Sequence, residues 1–294
     1  MIISACIYLI RLPIKTNMSF ERLAFQVWME TTVGCTTPDN WASHRDRLKN
    51  FQISPEQKND AIAATVRDAS SLFHKALLTF ASAYTDIHAN NRAWSVVKLY
   101  YSMFYAIRAR LLARRHALVR NKCWYHFDLN DSKPIAHPLN STRYRNDHEA
   151  TLHLYEDIFS SSDRLLSNDI EGIKPFAWMM ELRNIANYRA ARFADPDFLF
   201  DFAIHVQLLN AAALDALIAQ NLNDVTDILV FQPEHAWLAL PMKQLVAACN
   251  DLAIAGSPLA LPADQLQHTI GALNSLPNTL RTALEKHAIF RSIN

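Results

Sequence analysis

Apolar residues recur at steps of three and four through Ile62, Val66, Ala69, Phe73, Leu77, Phe80 and Tyr84. That spacing sets one face of an α-helix against a core. Ser54-Pro55-Glu56-Gln57 supplies its start, with Ser as N-cap, Pro in the first turn and Gln placed to close a capping box. The pattern predicts a long amphipathic helix ending near Asp86. The next stretch, Arg92 to about Arg115, is apolar almost all round in its first half, which predicts a helix central to a bundle or set against a second subunit. Residues 116–146 carry Pro134 and Pro138 without clear periodicity and read as a long connection. A helix follows from Asp147 through Leu154, Tyr155, Ile158 and Phe159 to about Leu166, then another over Trp178–Arg192. Asp195-Pro196 starts the last, which carries Phe198, Leu199, Phe202, Val206, Leu209, Ala213 and Leu217. These five helices predict one bundle.

The flanks are shorter. A helix is expected over Phe20–Met29, followed by a loop at Gly34 and Pro38; its aromatics suit docking on a larger body. Beyond Asn221 the pattern allows a short strand around Ile228–Phe231 or a linker, then helices over Met242–Ala255, Ala263–Leu276 and Asn278–Phe290. The expected organisation is an N-terminal extension over 1–50, a helical bundle over 51–220 and a small, mainly helical subdomain over 221–294. The apolar run Ile2–Ile10 is too short for a membrane helix and has no basic residue before it, so residues 1–17 are expected to precede the native start at Met18.

Composition sharpens this in three places. Only 4 glycines in 294 residues is few for the turns of a sheet-rich protein, so the fold class expected is all-α. Half the residues are hydrophobic and 19% charged, which excludes wholesale disorder. The cysteines Cys6, Cys35, Cys123 and Cys249 are far apart with no metal-ligand spacing, so free thiols in a reducing cytoplasm, no metal and no cofactor are expected.

Two segments carry candidate chemistry. In WMMELRNIANYRAAR, residues Met179, Leu182, Ala186, Ala190 and Phe193 form an apolar stripe. Arg183 and Asn187 lie one turn apart on its margin, beside a second such pair, Asn184 and Tyr188. A guanidinium, two amides and a phenol at the edge of a buried face suit a polar site between helices; the plainer reading is a border that reaches water. The second segment is basic: no acidic residue falls between Asp86 and Asp128, while Arg108, Arg110, Arg114, Arg115, Arg120 and Lys122 do. A phosphate-binding surface, with Trp124, Tyr125 and Phe127 as stacking platforms, is one reading. A solvated helix end opposing the macrodipole is the other.

KLYYSMFYAIRARLL and RNIANYR, in this order, resemble two segments of the HEPN superfamily of helical-bundle proteins, over about residues 55–220. The first is similar to the family's tyrosine-rich second helix. The second is similar to its late-helix motif in the form Arg-x-x-Ala-Asp-Tyr, with Asn187 in place of Asp. The resemblance implies a HEPN-like homodimer with the motif helices facing each other, and an RNA-directed role in toxin–antitoxin or antiviral defence. Catalytic members are metal-independent endoribonucleases with four to six residues between the Arg and a His. Here those positions hold Tyr188, Arg189 and Ala190.

Arg183 can stabilise phosphorane charge. Tyrosine, with a pKa of about 10, is a poor base near neutrality. A base would have to come from His148 or His153 on the preceding helix, or from His126. Three readings follow: a ribonuclease using Arg183, Asn184, Asn187 and Tyr188; a binding module for RNA or a nucleotide, or the partner of a nucleotidyltransferase that modifies Tyr188; and a structural helical dimer. The missing His weighs against the first and the basic run against the third, so an RNA- or nucleotide-binding HEPN-like protein is expected, with ribonuclease activity centred on Arg183 as an option.

Overall fold

Ser54 Oγ accepts from the Gln57 amide and Gln57 Oε1 accepts from the Ser54 amide, closing the expected capping box. From there α3 runs from Pro55 to His88, as its apolar spacing predicts. The computed structural model describes residues 21–89, 91–189, 211–256 and 261–290. Before α3 come α1 (Ala24–Thr32) and the short α2 (Arg45–Lys49); after it comes α4 (Arg92–Ala113). Lys98 Nζ donates to Ser82 and Asp86 while Ser102 Oγ donates to the Ala76 carbonyl, so α4 returns antiparallel along α3. Leu99, Tyr100, Met103, Ala106 and Ile107 are wholly buried, which explains why α4 is apolar on nearly every side.

The expected 116–146 connection is instead a small sheet, so the fold is mostly helical rather than purely α. β1 (His116–Asn121) pairs antiparallel with β2 (Cys123–Asp128), and β2 with the two-residue β3 (His137–Pro138). Ala117 and Val119 face Phe127 and Tyr125 across the pair, all buried. This period-two alternation was in the sequence, hidden by the intervening Arg, His and Trp. Lys122 takes the turn at φ 60° and Arg115 the helix-to-strand corner at φ 66°. The N-terminal segment docks on this sheet: Trp41 Nε1 donates to the Arg120 carbonyl at 2.6 Å, and Asn121 Nδ2 to the Trp41 carbonyl at 2.7 Å. Asp68 of α3 accepts from the Ala24 and Phe25 amides and so caps α1.

On the other sheet face His116 Nδ1 and His126 Nε2 lie 3.2 Å apart. Burial, then the neighbouring His116, pushes the His126 pKa down to about 4. The unfolded chain, with histidine near about 6.5, therefore binds protons that the folded chain refuses. The resulting stability is complete above pH about 6.5 and is lost as pH falls toward 4, on the order of 2 kcal/mol. Urea unfolding at pH 7.5 and 5 should show a fall to which His126 contributes, and His126→Gln should make it smaller by about 2 kcal/mol.

Downstream lie α5 (Asp147–Phe159), α6 (Pro175–Asn184), α7 (Ala211–Asn223), α8 (Pro233–Ile254), α9 (Ala263–Asn274) and α10 (Asn278–Glu285). α5 stops at Phe159, short of the expected Leu166, and a separate 3₁₀ turn covers Arg164–Leu166. Where the pattern allows a short strand or a linker around Ile228–Phe231, a 3₁₀ turn covers Leu229–Phe231. α8 starts nine residues before the expected Met242 and runs through Pro241; burial of Ala236–Met242 outweighs the proline's missing amide. α8 packs along α4, and one apolar cluster runs from Phe25 to Phe290. The Asp195-Pro196 helix start, Ala190 and Phe193 of the motif stripe, and residues 1–17 lie outside the described residues.

Candidate functional site

Pro175 in the first turn starts α6, whose last residues, Arg183 and Asn184, lead into a single π-helical turn over Ile185–Arg189. Such turns widen the helix and are frequent at functional positions. The inward side is as the stripe requires, with Met179, Leu182 and Ala186 buried. Arg183, Asn184 and Asn187 are half-buried on the border. Arg183 Nη1 donates to Asn184 Oδ1 at 3.0 Å and Nη2 to Tyr101 Oη at 2.8 Å. Arg183 thus bonds its sequence neighbour, not Asn187 one turn on. The side chain of Tyr188 lies outside the described residues.

The guanidinium carbon sits 5.8 Å from the centre of the Tyr100 ring and 5.5 Å from that of Tyr101. Against Tyr100 also stands His148, in the first turn of α5. Its Nδ1 is 2.7 Å from Tyr100 Oη, and its ring lies 5.6 Å from Tyr100 and 4.4 Å from Phe104. Three helices therefore converge: α6 brings Arg183, α4 the two tyrosines, α5 the histidine. Sequence reasoning overlooked Tyr100 and Tyr101 as site residues, although the Tyr-Tyr pair in the middle of α4 was the available signal.

Of the three candidate histidines, His148 alone joins Arg183. His153 pairs with Glu156 and His126 with His116. Burial, then the charge of Arg183, holds the His148 pKa below its ordinary value, so the ring is neutral near neutrality and can accept a proton. Burial also pushes the Tyr100 hydroxyl well up, so it stays a neutral phenol. In the tautomer whose Nδ1 hydrogen is donated to Tyr100 Oη, the lone pair lies on Nε2, where it can take a proton. Because Arg183 helps lower this pKa, Arg183→Gln should raise the His148 pKa toward the free value, measured by NMR titration of the ring protons. An unmoved value would mean that the two groups are not coupled.

The basic run does not form one surface. Arg110 is buried and bonds Asp163 Oδ2 at 2.6 Å, Asp251 Oδ2 at 2.7 Å and Gln244 Oε1 at 2.7 Å. Arg114 is tied to Asp251 at 2.8 Å and lies over Phe159. Arg108 lies over the Phe104 ring. Arg115, Arg120 and Lys122 are exposed, with Arg115 and Lys122 at opposite ends of the hairpin, about 20 Å apart by strand rise. Trp124, Tyr125 and Phe127 are buried, so they are not platforms for bases. The sequence masked this because the carboxylates that answer Arg110 and Arg114 are far away in the chain.

Among the described residues no group of three or more His, Cys, Asp or Glu is disposed to hold a metal, and no helix is long and apolar enough to cross a membrane. Compared with family models, curated proteins and solved structures, the chain matches none.

Proposed function

We propose that this chain is a HEPN-like, RNA-directed protein that cleaves RNA without a metal, of the kind that serves toxin–antitoxin or antiviral defence. The observation that carries this reading is the neutral His148 set beside Arg183 through Tyr100. Cleavage of RNA by its own 2′-hydroxyl needs a base for that proton and a cation for the charge that gathers on the phosphorane. His148 Nε2 takes the proton. Arg183, held by Tyr101 and Asn184, faces the charge. Asn187 orients the phosphate, and Tyr188 positions it or protonates the leaving oxygen. A homodimer that brings two such α6 helices together would form a shared cationic crevice.

Tyr188, Arg189 and Ala190 where the motif histidine would fall favour a second reading, a binding module for RNA or a nucleotide that works beside a nucleotidyltransferase. Labelled RNA incubated in EDTA with wild type and with Arg183→Ala separates the two. Cleavage lost in the variant supports the first, and retention without cleavage in either protein supports the second.

A further inference from the structure

Of the 22 residues of α4, Trp94 is exposed, Lys98, Tyr101, Tyr105 and Arg108 are half-buried, and all the others are buried. Those five fall at steps of four, three, four and three, so they form one stripe along a helix that is otherwise enclosed. At 1.5 Å per residue the stripe is about 20 Å long. Its composition is not that of an ordinary solvated face: three aromatic rings, two cations and no carboxylate. Trp94 is 48% exposed, and the Tyr101 and Tyr105 rings stack 6.1 Å apart with 30° between their planes. Arg183 joins the stripe at Tyr101, its middle. Lys98 is engaged with Asp86, and Arg108 feels Asp68 and Asp147. Burial lowers the Arg108 pKa, yet a guanidinium lowered from its ordinary value remains charged at neutrality.

We infer that an unpaired RNA strand lies along this stripe, its bases against Tyr101 and Tyr105 and its phosphates between Arg108 and Arg183. This rests on the Arg183–His148 reading and deepens it by fixing the form of the substrate. Bases within a duplex hide their faces in the stack, so a track of aromatic rings serves only bases that are unstacked. A second copy laid on the same stripe would bring cations to cations, with no carboxylate on the stripe to answer them.

The test is binding of a fluorescent 2′-O-methyl strand of about ten nucleotides, which the proposed chemistry cannot cut. Tyr105→Leu keeps apolar bulk but removes the ring, and should weaken binding about tenfold. Tyr105→Phe should stay within about twofold. Arg108→Gln should reduce the slope of log affinity against log salt by about one. A duplex of the same sequence should bind at least about tenfold more weakly.

Unchanged affinity in Tyr105→Leu, or equal affinity for the duplex, overturns the inference. So does lost self-association in Tyr105→Leu with RNA affinity kept, which would mark the stripe as a protein interface. If wild type holds the methylated strand but leaves unmodified RNA intact, the catalytic reading falls and the stripe stands. Cleavage of unmodified RNA by a Tyr105→Leu protein of unchanged affinity does the reverse.

Discussion

His148→Gln should lower RNA cleavage in EDTA by roughly two to four orders of magnitude, the range that a positioned general base contributes. Glutamine can keep a hydrogen bond to Tyr100 but cannot take a proton. Retention of an uncleavable strand should therefore change by no more than about twofold. Arg183→Ala should cost roughly 10²–10³ in rate, as the loss of one group stabilising transition-state charge does, and should weaken retention as well. His153→Gln is the control, because His153 answers to Glu156 and stands apart from Arg183. The pH profile carries the same claim. Burial and Arg183 hold His148 below its ordinary pKa, so the acidic limb of kcat/KM should lie below pH about 6.5. A His148→Gln protein that cleaves at the wild-type rate would end the assignment of this base.

Arg110→Ala should destabilise the fold by about 3–5 kcal/mol, the cost of leaving buried carboxylates without their cation. Arg110 stands where α4, the turn after α5 and α8 meet, with Asp163, Asp251 and Gln244 as partners and the Tyr155 ring 5.2 Å beneath it. Tyr155 Oη also donates to Asp163 at 2.6 Å. Burial alone would raise the Asp163 pKa; Arg110, together with the Tyr155 hydroxyl and the Leu165 amide, outweighs it and holds that pKa below the ordinary value. The stability from Asp163 is therefore present above the unfolded pKa of about 3.9 and disappears as pH falls through the lower folded value. Urea midpoints of wild type and Arg110→Ala at pH 7 measure the loss. Adding Asp163→Asn and Asp251→Asn to Arg110→Ala should return part of it, since the stranded charges are then gone. A variant as stable as wild type would show that this network contributes little. Arg110 is thus a tie between α4 and the C-terminal helices, and RNA affinity per folded molecule should not depend on it.

These two expectations separate what a one-dimensional reading can reach from what it cannot. The capping box at Ser54, the extent of α3 and α4, and the inward stripe Met179, Leu182, Ala186 were legible because they arise from contacts within a few residues. Arg183 was legible for the same reason, as a charge on the margin of an apolar face. The hairpin at 116–128 was not. Its alternation is only three residues deep on each strand, and its pairing is fixed by burial against Phe25 and α4. The uses of the arginines were still less legible. A run of like charge looks uniform in sequence, whereas each member is decided by the nearest carboxylate or ring, up to 141 residues away for Arg110 and Asp251.

The sequence by itself determined that this is a helical protein with a polar patch at Arg183, because helix periodicity and capping are local physics. Tertiary structure alone decided that His148, and not His153 or His126, stands beside that patch. Only packing of α4, α5 and α6 against one another can bring groups 35 residues apart onto the same tyrosine.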